Sequence, residues 1–292
     1  MKKVIPYLLG ALAAIIIIVF AYIQLTWNKK FDAPYPDIKA SADSAVIARG
    51  KYLAYGPAHC ATCHMPMDKI MHVENTGEQL PLSGGWELAI PPGTFRAPNL
   101  TPDKETGIGN LTDGEIARIM RHMIGADGRC IMPFMPFAEM SDEDLTAIIS
   151  FLRSQPPVRN EVIRSEFTFL GKAVAAFGMI KPEGTKGNPP KSVPIDSTIE
   201  YGKYLANYVA NCVGCHTERD MKTGAFIGKP FAGGMAFEPD AFSEGKSFMS
   251  PNITPHNGTG VIAAWSEEMF ISRFRGGRVQ KGSPMPWGLI RG

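Results

Sequence analysis

Two pentapeptides carry the chemistry of this chain: Cys60-Ala61-Thr62-Cys63-His64 and Cys212-Val213-Gly214-Cys215-His216. In each, two thiols are separated by two residues and an imidazole follows the second directly. This Cys-x-x-Cys-His word suits covalent attachment of a c-type haem. The sulfurs add across the vinyl groups on one edge of the porphyrin and form thioethers. The adjacent His64 or His216 is then placed under the iron as proximal ligand. Other chemistries use the same residue types. Zinc sites take Cys and His, but seldom with His directly after the second Cys. Disulfides form in an oxidising compartment. A thioredoxin-like redox centre needs a strand-to-helix context, which the flanking sequence lacks. Two copies of the word inside a longer repeat favour two haems. Cys130 is the fifth cysteine and reads as a packed or free thiol.

An iron held by one imidazole needs a distal ligand, or an open position for chemistry. A Met thioether is the usual electron-transfer ligand and raises the reduction potential relative to His. The chain has 15 methionines, so composition is no guide. Position is. Met285 lies in Pro284-Met285-Pro286-Trp287, and its interval from Pro251 equals that from Pro98 to Met132. Met132 is therefore preferred as metal ligand in the first half, with Met135 in Met135-Pro136-Phe137 as the competitor. The methionine left over reads as a core side chain. A proximal His should donate its other ring N–H to a fixed acceptor. The carbonyls of Pro98 and Pro251 are the candidates, against a plain turn role for both prolines. His59, His72, His122 and His256 are the alternatives for bis-His coordination. Arg96, Arg121, Arg273, Arg275 and Arg278 are candidates to pair haem propionates.

These residues sit in a duplicated frame. Gly50-Lys51-Tyr52-Leu53-Ala54 and Gly202-Lys203-Tyr204-Leu205-Ala206 stand at the same distance before the two Cys-x-x-Cys-His words. Gly84-Gly85 matches Gly233-Gly234, Pro98-Asn99-Leu100-Thr101-Pro102 matches Pro251-Asn252-Ile253-Thr254-Pro255, and Thr106-Gly107 matches Thr259-Gly260. The pattern predicts a mainly α chain of two tandem, loop-rich cytochrome c-type domains, 44–155 and 196–292. Helices are predicted at Ser44 to Tyr55, Asp196 to Val209 and Thr112 to Met123. Another opens at Ser141, with Asp144 in the capping-box position, and stops at Pro156-Pro157. The linker, 156–195, is rich in Pro, Gly and Lys. Its apolar island from Phe167 to Ile180 is too short to span a bilayer. It reads as a short helix against a domain or the membrane surface.

Val4 to Trp27 is uncharged and apolar. At about 1.5 Å per residue it reaches roughly 36 Å as a helix, enough for a hydrocarbon core of about 30 Å. A cleaved signal peptide is the competing reading. Its small-residue site, Ala11-Leu12-Ala13, would leave Ile15 to Phe20 behind as an apolar stub, so an uncleaved anchor over 1–27 is favoured, followed by a stalk at 28–43. Lys2 and Lys3 on one side and Lys29 and Lys30 on the other orient the helix weakly, and Trp27 suits a membrane interface. A formal charge of +2 with no basic stripe gives no reason to propose a nucleic-acid partner.

With these words in hand, the chain resembles membrane-associated multi-haem cytochromes c that accept electrons from periplasmic dehydrogenases, the alcohol and gluconate dehydrogenase cytochrome subunits among them. The paired Cys-x-x-Cys-His, the Pro-Asn-(Leu/Ile)-Thr-Pro loops, Thr106-Gly107-Ile108-Gly109, and Met132-Pro133-Phe134 running into Met140-Ser141-Asp142-Glu143-Asp144-Leu145 carry the resemblance, over nearly all of 44–292. It implies haem attachment outside the cytoplasmic membrane, hence periplasmic haem domains, Met1 inside and a single-pass bacterial inner-membrane protein. It also supports Met132, because the family's ligand Met precedes a Pro-aromatic pair at this distance from the Ser/Thr-Asp helix start. The implied function is single-electron transfer, without catalysis of its own, from a dehydrogenase or quinol-oxidising partner to an oxidase or another cytochrome. A haem enzyme, such as a dihaem peroxidase or a thiosulfate-oxidising cytochrome, is the alternative that Cys130 near Met132 keeps open. The departures are two haem words where three are common, and an amino-terminal rather than carboxy-terminal anchor. The second half also lacks a counterpart of the Ser141 helix after Met285. Either a further helix or another protein is expected to cover that face.

Overall fold

The computed structural model describes residues 4–135, 137–220, 223–239 and 243–290. Met1, Lys2, Lys3, Pro136 and Gly292, which entered the sequence reading, lie outside the described residues. Helix α1 (Val4–Thr26) comes first and is long and apolar enough to cross a membrane. The first half follows: α2 (Ser44–Tyr55), the single turn α3 (Cys60–Cys63), α4 (Ile70–Thr76), the hairpin β1 (Glu87–Ile90) and β2 (Gly93–Arg96), α5 (Asp113–His122) and α6 (Asp142–Ser154). Next come β3 (Glu166–Phe167) and α7 (Phe169–Ala176). The second half has α8 (Ile199–Tyr204), continued by a π turn to Val209, then α9 (Cys212–Cys215), β4 (Ala236–Phe237), β5 (Phe248–Met249), α10 (Glu267–Arg275) and α11 (Trp287–Ile290).

The mainly α expectation needs one correction. Two small antiparallel sheets are present, β1-β2-β3 and β4-β5. The first forms because Pro91-Pro92 turns the chain, pairing Ile90 with Gly93 and leaving β2 free to take β3 on its other edge. Gly93 is required there: a Cβ would lie 2.3 Å from the Glu166 carbonyl oxygen.

The core sits between α2 and α6. Leu53, Ala54, Met65, Leu82, Leu145, Ile148 and Ile149 are buried within it. The helices cross at Gly50, where a Cβ would stand 1.8 Å from the Ala147 carbonyl oxygen. Both later helices of this half start at good caps. Thr112 and Glu115 form a reciprocal capping box on α5. Ser141 accepts from the Asp144 amide at the start of α6, whose first turn holds three acidic residues. The Asp144 side chain does not complete a box, as the sequence suggested. It pairs instead with Arg49 at 2.9 Å.

That carboxylate also ties the halves together. Tyr204 donates to Asp144 at 2.8 Å, and its hydroxyl accepts from the Ser141 amide at 3.0 Å. Tyr204, Val209 and Leu205 thus join the first half's core. The equivalent Tyr52 in the first half is 51% exposed, so the identical repeat word is used for docking only once. Among the described residues the second half assembles no large apolar core of its own. No residue of α10 is buried, and Met249 and Val279 stay exposed. Residues 28–43 are not free of the first half. Phe31 bonds Gly128, Ala40 bonds Asp113, Ile38 is buried, and Arg118 stacks over Tyr35.

The two repeat glycines should respond oppositely to substitution. Gly50→Ala forces α2 and α6 apart and should cost about 2 kcal/mol or more. Gly202, on the exposed part of α8, has nothing within 4 Å of its would-be Cβ. Gly202→Ala should be neutral or stabilise by up to about 1 kcal/mol. Thermal unfolding of the two variants decides this, and equal losses would refute a tight crossing at Gly50 alone.

Candidate functional site

The two Cys-x-x-Cys-His words adopt one conformation. The residue before the first Cys is left-handed in both, His59 at φ 39° and Asn211 at φ 49°. A single helical turn then presents the cysteines, and the His amide closes it onto the first Cys carbonyl, at 2.9 Å in one word and 2.8 Å in the other. Each His ring is held from one side. His64 Nδ1 lies 2.8 Å from the Pro98 carbonyl oxygen and His216 Nδ1 lies 2.9 Å from that of Pro251. A carbonyl only accepts, so Nδ1 carries the proton and Nε2 keeps a free lone pair. Burial lowers the His64 pKa and so favours the neutral, ligating form, opposed in part by the Pro98 bond.

The loop behind each ring is the same device built twice. Gly84 N–H donates to the His64 carbonyl and Gly233 N–H to that of His216, both at 2.8 Å. Both glycines have positive φ, and a Cβ would lie 2.6 Å from the Pro98 carbonyl carbon or 2.5 Å from that of Pro251. Asn99 Oδ1 accepts from the Thr101 amide at 2.9 Å and its hydroxyl at 2.8 Å. Asn252 Oδ1 does the same for Thr254, at 2.8 and 2.7 Å. Each Asn amide then reaches the Thr of the Thr-Gly pair, Thr106 or Thr259. Sequence reasoning used these words as repeat markers and missed their role as staples for the proline carbonyl. The available signal was the conserved spacing between Asn and Thr across the two copies.

The methionines show a matching pattern. Phe134 N–H donates to the Met132 carbonyl at 2.7 Å, and Trp287 N–H to the Met285 carbonyl at 2.8 Å. Met132 thus shares the backbone turn of Met285. Met135 packs against the first core. The other histidines have local duties. His59 Nδ1 faces the Pro57 carbonyl, His72 pairs with Glu78, and His256 Nδ1 accepts from Gly258 N–H. His122 ends α5, where burial and then Arg121 and Arg118 lower its pKa.

Several arginines are also committed. Arg96 pairs with Glu87, and Arg121 is buried between the Ala138 and Met140 carbonyls and Asp142. Arg273 stacks over Trp287 at 3.5 Å and donates to the Gly277 carbonyl, while Arg278 donates to the Ser283 carbonyl. Arg275 is exposed at the end of α10.

The donor set fits a covalently held haem. All five cysteines are free. Burial pushes the Cys60 thiol up to about 12 and the Cys63 thiol to about 11, the opposite of a thiolate redox centre. Cys130 is likewise raised to about 11, by burial and then by Glu183. Among the described residues no group of three or more His, Cys, Asp or Glu side chains is placed to hold a metal ion. One imidazole with a free Nε2 beside two thiols needs no such cluster to bind a porphyrin iron.

Substitution at one cradle should leave the other intact. Gly233→Ala should move Pro251 off the His216 ring and leave His64 unchanged; Gly84→Ala should do the converse. Nitrogen NMR of the two imidazoles reports which Nδ1 has lost its acceptor, and a change at both rings would contradict independent cradles. Asn252→Ala should cost about 1–3 kcal/mol by orphaning the Thr254 groups.

No family model matches the chain. It is 31% identical over 248 residues, 82% of its length, to the cytochrome c subunit of the quinone-type alcohol dehydrogenase of Gluconobacter oxydans. It is 28% identical over 84% of its length to the fructose dehydrogenase cytochrome subunit of Gluconobacter japonicus. It covers 48% of each of these relatives, so it spans about half their length. A dihaem c-type cytochrome of Cereibacter sphaeroides is 29% identical, with 85% of this chain and 79% of that protein aligned. The chain is a homologue of the cytochrome c subunits of alcohol, fructose and gluconate dehydrogenases and of a dihaem cytochrome c.

Proposed function

We propose that this chain is a membrane-anchored dihaem cytochrome c that carries single electrons and has no catalytic site of its own. Residues 44–155 and 196–292 are its two haem domains, joined by 156–195. The duplicated cradle carries the reading, each His ring held through Nδ1 by a proline carbonyl at 2.8 or 2.9 Å. Homology to cytochrome c subunits of dehydrogenases supports electron transfer.

Cys60 and Cys63, and Cys212 and Cys215, would tether the porphyrins. His64 and His216 would ligate through Nε2, and Met132 and Met285 would supply the thioether ligands. Haem c supplies one reversible electron at its iron. The protein's part is to fix the ligands and to set their basicity. A proline carbonyl accepting from Nδ1 makes Nε2 a stronger donor and so favours the oxidised state. Proline suits this position because its fixed φ and missing N–H give the carbonyl few alternative poses. A thioether ligand would do the reverse and raise the potential. Donor and acceptor are redox proteins: a dehydrogenase or quinol-oxidising enzyme on one side, an oxidase or a further cytochrome on the other. Helix α1 is read as a single inner-membrane anchor with the haem domains in the periplasm.

The denatured protein should exceed the mass of the bare polypeptide by two porphyrins, and Cys212→Ser with Cys215→Ser should remove one. A bare-chain mass sinks the proposal. In a spectral redox titration, Met132→His and Met285→His should each lower one potential and abolish one sulfur-to-iron band. If the Met132 change leaves the spectrum untouched while Met135→His alters it, the first ligand is misassigned. Gly84→Ala should raise one potential and Gly233→Ala the other.

A further inference from the structure

We infer that α7 lies in the membrane beside α1, so that the first half rests directly on the bilayer instead of standing off it on a tether. The inference builds on the reading of α1 as an uncleaved anchor and adds a second, non-spanning contact. Phe169 stacks on Phe20, ring centroids 5.7 Å apart and planes 16° from parallel. Phe177 meets Tyr22 at 5.6 Å. Phe20 and Tyr22 belong to the apolar run of α1, in its last two turns. At about 1.5 Å per residue, Phe20 lies roughly 10 Å along the axis from Trp27. If Trp27 marks the membrane interface, Phe169 and Phe177 share the depth of Phe20 and Tyr22 below it.

The contact is a fitted one. Ile23 is the single buried residue of α1. The Ala176 carbonyl, at the end of α7, accepts from Lys29 Nζ at 2.9 Å and from Tyr22 Oη at 3.4 Å. Those donors satisfy a helix-end acceptor that lipid could not. Lys172 is the one charge between Phe167 and Ile180, and its Nζ sits 5.0 Å from the Trp27 ring centroid. Lys29, Lys172 and Trp27 thus gather at the level where headgroups would lie, a snorkelling arrangement.

On its other side α7 is fixed to the first half. A Cβ on Gly171 would lie 1.9 Å from the Pro92 carbonyl oxygen, Thr168 Oγ1 donates to the Pro91 carbonyl, and β3 pairs with β2 just before the helix starts. The residues left facing outward are Phe169, Leu170, Phe177 and Met179, between 53% and 62% exposed. In water such a patch is unfavourable; beside a spanning α1 its natural occupant is the acyl chains of the adjoining leaflet.

The test uses the full-length haem-loaded protein in phosphatidylcholine/phosphatidylglycerol vesicles, at no more than about one chain per vesicle so that a second copy cannot cover the patch. In a Cys130→Ser background, Leu170→Cys, Met179→Cys and, as aqueous control, Ile227→Cys are labelled with a membrane-impermeant charged maleimide and read by mass. Labelling at 170 and 179 should be at least about tenfold slower than at 227, because hydrocarbon suppresses the thiolate. It should become comparable to 227 once the vesicles are dissolved in detergent and the chain is denatured. Labelling at 170 and 179 as fast as at 227, in protein that stays with the vesicles through an alkaline wash, overturns the inference and leaves the anchor reading standing. Protein that washes off, or whose mass lacks the α1 residues, overturns the anchor reading and this inference with it.

Discussion

A histidine ring donating to a proline carbonyl is the contact around which each half of this chain is organised. An imidazole on a single helical turn would rotate freely about its own side-chain bonds. A carbonyl at 2.8 or 2.9 Å from Nδ1 removes that freedom and fixes the tautomer. Much of the surrounding loop exists to keep the carbonyl in place. Gly84 and Gly233 take positive φ because their own N–H must reach back to the histidine carbonyl, and a Cβ there would collide with the proline carbonyl carbon. Asn99 and Asn252 hold the next residues through bonds that no aliphatic side chain provides.

The halves share this device but not their means of support. The first closes α6 over α2, with Gly50 under Ala147, and so owns an apolar core. The second has the same glycine, Gly202, facing open space, and its α10 buries nothing. Its support comes from elsewhere. Tyr204 reaches into the first half and bonds Asp144, which already holds Arg49. A buried carboxylate shared by one arginine and one phenol is well satisfied, and loss of either partner leaves charge uncompensated. The second half is thus the more dependent of the two on its neighbour.

Much of this was readable in the residues. The paired Cys-x-x-Cys-His turns, the repeat, the starts of α2, α5 and α6 and the two proline carbonyls facing His64 and His216 all follow from spacing, because local caps and a duplicated frame leave strong marks. Three kinds of feature left weak marks. Short strands such as β3 form through tertiary pairing, and two residues carry no period. The Tyr52-Tyr204 pair is identical in sequence and different in use, so only the docked arrangement separates them. Four of the five arginines named as propionate partners are engaged with carbonyls or carboxylates, since the residue type alone says nothing of what lies within reach.

The path from α1 to α2 bears on how such a protein would meet its partners. A tethered domain samples many orientations, and each encounter must wait for the right one. Here the connecting segment is bonded along the first half at Gly128 and Asp113, and α7 is clamped between α1 and the β1-β2 hairpin. The direction of α1 is thereby fixed relative to α2, α6 and the His64 cradle. With α1 upright in a bilayer, a limited set of surfaces on the first half would face a neighbouring membrane enzyme, and the second half, held through Tyr204, would be carried at a set height above it. Orientation would then be built into the fold before any partner arrives.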